Sequence, residues 1–170
     1  MGLSQEAVTA IVVSTCCLAA AAIDLRTRRV PNVLTGSIAV LGLLLAVLHV
    51  TPVSPVAALG GLAVGLAVML PAHLIGATGA GDVKLLAALG TLLGPMGVLM
   101  AFLYTAIAGG ALALLVAAGR GRLRDTIDRT AIFVHTRGAN VQDIESATSN
   151  NRFAYAPAIA IGALVAALGL

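Results

Sequence analysis

The sequence has no tryptophan, three histidines and two cysteines, and only 10% of its 170 residues carry a charge. Each shortage excludes something. So little charge beside 59% hydrophobic residues cannot clothe a water-soluble domain, and it is the composition of a chain that crosses a bilayer several times. Cys16 and Cys17 are adjacent, which excludes CxxC metal or redox spacing and leaves two small apolar side chains facing lipid or a neighbouring helix. His49, His73 and His135 are scattered and none belongs to an HExxH pattern, so a zinc protease is disfavoured and no metal is expected. No GxSxG stretch offers a serine nucleophile. The net charge of +3 fits contact with anionic lipid, and nothing points to nucleic acid or to a cofactor.

What is present is uncharged sequence. Charged residues divide the chain into the uncharged runs 7–23, 30–81, 85–119 and 153–170. About 20 residues at 1.5 Å each cross a hydrocarbon core of roughly 30 Å, so the first and last runs are one span each. The N-terminal stretch carries Glu6 and no basic region, so 7–23 is expected to be a retained span and not a cleaved signal. The run 30–81 is too long for one helix, and Thr51-Pro52-Val53-Ser54-Pro55 breaks it into spans of about 33–50 and 56–76. The run 85–119 contains Gly94-Pro95, a kink or a hairpin. The basic residues decide between these: they lie only at Arg26, Arg28 and Arg29, at Lys84, and between Arg120 and Arg152. A hairpin puts all three groups on one side, as the positive-inside rule requires. The expected fold is all-α, a polytopic membrane protein of about six transmembrane helices with both termini outside. The Arg-rich loop 119–152 faces the cytoplasm, its first half patterned for an interfacial amphipathic helix.

Two acids abut the spans. Asp24 follows the first, and Asp82 lies in Gly79-Ala80-Gly81-Asp82-Val83-Lys84, on the same expected side. A carboxylate at mid-bilayer costs roughly 2.5–3.5 kcal/mol on insertion scales, so such acids need a reason. Two carboxylates brought together share a proton; the ionised one can activate water while the protonated one serves the substrate carbonyl and the leaving amine. Gly79 and Gly81 leave room for a peptide strand, and the short fourth span from about Val83 is expected to start below the headgroups, with Gly79–Gly81 as irregular backbone lining a wet cavity. Taken singly, each acid also reads as a helix cap or ion-pair partner, Asp24 with Arg26 or Arg28 and Asp82 with Lys84. Because both sit at helix ends and are expected to support little packing, their removal is expected to leave the protein inserted. His73, two residues after Pro71, reads as a packed neutral histidine more readily than as a cavity-lining group.

On three stretches the chain resembles the type IV prepilin peptidases of the GxGD aspartic protease class, and most of all their short single-domain branch serving tight-adherence (Flp-type) pili. The stretches are Asp24-Leu25-Arg26-Thr27-Arg28-Arg29-Val30-Pro31-Asn32, Gly79-Ala80-Gly81-Asp82-Val83-Lys84-Leu85 and Tyr155-Ala156-Pro157-Ala158-Ile159-Ala160. The resemblance implies one peptidase domain over 1–170 in the inner membrane of a prokaryote, cutting the basic leader from a prepilin at the cytoplasmic face, beside pilus assembly machinery. By motif Asp24 and Asp82 take the catalytic positions. Lys84, Pro31, Asn32, Tyr155 and Pro157, with Gly79 and Gly81, position substrate or support the acids; for Lys84 an interface anchor, and for Tyr155 and Pro157 a helix start, explain the residue equally well. The paired CxxC motifs of the larger bifunctional members do not occur, so N-methylation of the new pilin terminus is not expected. Two other readings remain: a small proton-coupled transporter, for which no inverted repeat is visible, and a non-catalytic membrane scaffold of a secretion or pilus complex, which leaves both acids without a purpose.

Overall fold

A computed structural model of the chain describes residues 4–27, 30–76, 78–119 and 156–169. The described residues form five helices and no strand: α1 (Gln5–Thr27), α2 (Asn32–Val47), α3 (Pro55–Leu74), α4 (Ala80–Gly119) and α5 (Ala156–Ala167). The Arg-rich loop and its expected amphipathic helix lie outside the described residues. Three helices are long and apolar enough to cross a membrane by length and composition: α1, α3 and α4 through Leu112. The expected count of six does not emerge from that criterion, because α2 and α5 have 16 and 12 residues and the two limbs of α4 that meet at Gly94 count as one helix.

Local chemistry sets the breaks. Ser54 caps α3 by accepting the Ala57 amide at 3.2 Å, and Pro55 occupies the first helical position, where its missing N–H costs nothing. Pro31 caps α2 from extended geometry (φ −66°, ψ 142°), its carbonyl taking the amides of Leu34 and Thr35. Within α4 only Gly94 leaves helical geometry, at φ 71° and ψ 179°, where a Cβ is disfavoured, and Pro95 starts the second limb. That limb does not prolong the first. Ala101 and Thr105 pack against Gly162 of α5, a helix that begins beside Asp24. Straight continuation would carry Ala101 about 10 Å past the Gly94 end at 1.5 Å per residue, out of reach of α5. The chain therefore turns back at Gly94.

The first limb of α4 is the axis of the molecule. Leu85, Leu86, Leu89 and Leu92 are all at or below 1% exposure, and α4 packs against α2, α3 and α5. Against α3 the backbones touch: Gly61 meets Gly90, and Gly65 meets Ala87. The small-residue spacing at Gly61 and Gly65, expected to be a helix contact, is one. Large apolar side chains point outward instead, among them Leu18 (67% exposed), Leu44 (53%), Val56 (81%) and Leu59 (56%). An outward belt of this kind suits lipid and would not be tolerated in water.

Two ends of the bundle can be told apart. At one, Gln5 donates to the His49 carbonyl at 2.9 Å and Val53 packs near Gly94. At the other, the end of α1 and the starts of α2, α4 and α5 converge. The described residues of all three motif stretches lie there.

Candidate functional site

Asp24 occupies the last turn of α1 and is buried, at 5% exposure. Its Oδ2 accepts the N–H of Ala156, the first residue of α5, at 3.3 Å. A carboxylate at a helix N-terminus satisfies one of the orphan amides there and meets the favourable end of the helix dipole. Asp24 thus joins α1 to α5 across most of the chain, and the expectation that both acids support little packing needs correction for it.

Asp82 is half-buried in the first turn of α4. Its main-chain N–H donates to the Gly79 carbonyl at 3.1 Å, and the Val83 N–H donates to the same oxygen at 3.4 Å. Gly79 thus accepts the first main-chain bonds of α4. Helix formation begins at Ala80, so of the expected irregular stretch Gly79–Gly81 only Gly79 lies outside the helix, and the fourth helix starts three residues earlier than expected. The reason is the Gly79 carbonyl, which accepts the amides of Asp82 and Val83 and so closes the first turn over Ala80 and Gly81. A Cβ on Gly79 would come within 3.2 Å of Asp82 Oδ2, so glycine leaves the carboxylate uncrowded.

Asp24 and Asp82 lie at the same end of the bundle, one closing α1 and the other opening α4. The segments that carry them are laced together there. Gly81 lies against Val30, where a Cβ would approach Val30 Cβ to 3.2 Å. Lys84 Nζ donates to Asn32 Oδ1 at 2.9 Å. Lys84 therefore pairs with the other motif stretch, and no ion pair between Lys84 and Asp82 occurs among the described residues. Pro31 serves as the α2 cap, and Pro157 is the second residue of α5, half-buried. Tyr155, Arg28 and Arg29 lie outside the described residues.

Two features escaped the sequence. The Ala156 amide that holds Asp24 is a main-chain group with no side-chain signal beyond its place in the third stretch. Beside the site, His73 Nδ1 is 2.9 Å from the Thr78 carbonyl oxygen, and because a carbonyl only accepts, Nδ1 carries the proton. His73 is thus packed against the α3–α4 connection, as the simpler reading expected. Thr78 Oγ1 is buried with no partner among the described residues.

The profile described as the type IV leader peptidase family matches residues 11–114, which include Asp24, Asn32 and the whole Gly79–Lys84 stretch. No curated protein and no solved structure gives a match. With well over half of the chain covered by that profile, and with its helices gathering both acids at one end of the bundle, the chain belongs to the type IV leader peptidase family.

Proposed function

We propose that the protein is a membrane aspartic endopeptidase that removes the basic leader of a prepilin of the Flp type, with Asp24 and Asp82 as its catalytic pair. The observation that carries the reading is the convergence of Asp24 and Asp82, from different helices, on one end of the bundle. Nothing in the packing of an inert scaffold requires two acids at one end of the bundle, and a transporter would be expected to hold its acids nearer mid-bilayer.

One carboxylate acts as general base on a water placed between the pair, and the other, protonated, donates to the scissile carbonyl and then to the leaving amine. Gly79, which crowds Asp82 with no side chain, leaves the approach open to an extended peptide. The Lys84–Asn32 bond and the Val30–Gly81 contact hold the two acid-bearing segments in register. Catalysis of this kind depends on holding groups within a fraction of an ångström of productive geometry.

The site faces the cytoplasm in this reading. The basic residues Arg26 and Lys84 lie at the end that carries the acids, with Arg28 and Arg29 next to Arg26 in the sequence, and His49, Pro52 and Pro95 mark an opposite end without Lys or Arg. With the reversal at Gly94, α4 supplies two crossings, which gives six spans with both termini on the outer side. Pilus assembly machinery is the natural neighbour of such an enzyme.

Coexpression with a prepilin tests the reading. Wild-type protein shortens the prepilin by its leader, and Asp24→Asn and Asp82→Asn leave it full length while accumulating normally in the membrane. Leader removal by both variants would sink the catalytic pair.

A further inference from the structure

The last helix begins at the first acid. Ala156, fully buried at the first position of α5, donates its main-chain N–H to Asp24 Oδ2 at 3.3 Å. An aspartate has several staggered rotamers open to it, and a bond to a fixed main-chain donor selects one of them. The donor is fixed because α5 is. Six residues on, about 9 Å along the helix axis, Gly162 lies directly on the main chain of the second limb of α4. A Cβ on Gly162 would fall on the Ala101 carbonyl oxygen and come within 2.6 Å of the Thr105 nitrogen. Both of those residues are at or below 1% exposure, and the Thr105 hydroxyl is tied to the Ala101 carbonyl at 2.6 Å. Main chain against main chain leaves no side chain to repack, so this contact sets where α5 stands along α4.

From this geometry we propose that α5 is a positioning element for catalysis: seated on the second limb of α4 by Gly162, it holds the Ala156 N–H where it selects one rotamer of Asp24 and so aims that acid into the site. The proposal rests on Asp24 being catalytic. Neither Ala156 nor Gly162 touches substrate, and both act through Asp24. Because α5 carries no titratable side chain, what it offers the acid is main chain alone. A helix cap that served stability only would behave differently: its loss would lower the melting temperature and leave the turnover of folded molecules unchanged.

Exchanging the Ala156 amide for an ester, by incorporating L-lactate at that position, deletes the N–H and keeps the methyl side chain. The same exchange at Ala163 breaks a hydrogen bond inside α5 and leaves the Ala156 N–H in place. Leader removal is followed well below melting, at several prepilin concentrations, for both esters, for Gly162→Ala and for Asp24→Asn, each scored for membrane accumulation. The expected result is a roughly 10- to 100-fold loss of kcat in the Ala156 ester and in Gly162→Ala at nearly unchanged KM, the size of effect that follows from misplacing a catalytic group by about 1 Å. The Ala163 ester is expected within a few-fold of wild type. If Gly162→Ala fails to accumulate, the contrast between the two esters decides alone. Wild-type kcat in the Ala156 ester or in accumulated Gly162→Ala, or equal losses in the two esters, overturns the positioning role of α5 while an inactive Asp24→Asn keeps the catalytic reading; an active Asp24→Asn overturns both.

Discussion

The crossing of α3 and α4 is where a single methyl group has the largest predictable consequence. A Cβ on Gly61 would fall on the Gly90 carbonyl oxygen, 2.7 Å from the Gly90 carbonyl carbon and 2.9 Å from that of Gly94. All three obstacles are main chain and none can rotate aside. Carbon–carbon contact is most favourable at about 3.5–4.0 Å, so the helices must part by roughly 1 Å. Overpacking of this kind costs about 1–3 kcal/mol, and the better helix propensity of alanine returns up to ~1 kcal/mol. Gly61→Ala should therefore lose about 1–2 kcal/mol net. At roughly 2–4 °C per kcal/mol for a chain of this size, the melting temperature falls by about 2–8 °C. The Cys17 thiol, 1% exposed on α1, gives the assay: in detergent it reacts with a fluorogenic maleimide only as the bundle opens. Gly36 is the matched control, since a Cβ there meets nothing within 4 Å, and Gly36→Ala should melt at or slightly above the wild-type temperature. A Gly61→Ala protein as stable as wild type would refute the direct backbone contact and the central place given to this limb of α4.

Two further outcomes follow from the site. Asp24→Ala removes the acceptor of the Ala156 amide and should destabilise the protein by about 1–2 kcal/mol, whereas Asp24→Asn keeps an acceptor oxygen and should melt within ~0.5 kcal/mol of wild type, so thiol-reactivity melts of the two variants should differ. Asn32→Ala and Lys84→Met break the same exposed bond; each should lower the rate of leader removal several-fold with a stability change under ~1 kcal/mol, and the double variant should be no slower than the slower single one.

Much of this was legible because membrane chains announce their breaks. Proline and glycine mark the α2–α3 turn and the Gly94 reversal, and charge marks the motif-bearing end, since lipid permits few charges elsewhere. The acids were legible for the same reason: in an apolar chain, Asp24 and Asp82 had no cheap explanation. What the sequence concealed is relational. Nothing near Asp24 names the amide of Ala156, 132 positions away, as its partner. The Lys84–Asn32 bond joins two side chains 52 positions apart, and neither names the other in the sequence. Helix lengths were misjudged at Ala80 because the main-chain bonds of Asp82 and Val83 to the Gly79 carbonyl outweigh the glycine content of that turn. The Gly61–Gly90 contact was half visible: small-residue spacing flagged Gly61, but its counterpart in α4 depends on the packing of the whole bundle.

Whether the two carboxylates act as one catalytic unit can be measured directly with purified protein in lipid vesicles and a synthetic prepilin segment carrying its leader. Cleavage rates are taken for wild type, Asp24→Asn, Asp82→Asn and the double variant. Groups that act as a unit lose function non-additively, so each single variant should fall by about 10³-fold or more and the double variant no further. A single variant within tenfold of wild type, or losses that multiply in the double variant, would contradict a shared catalytic pair.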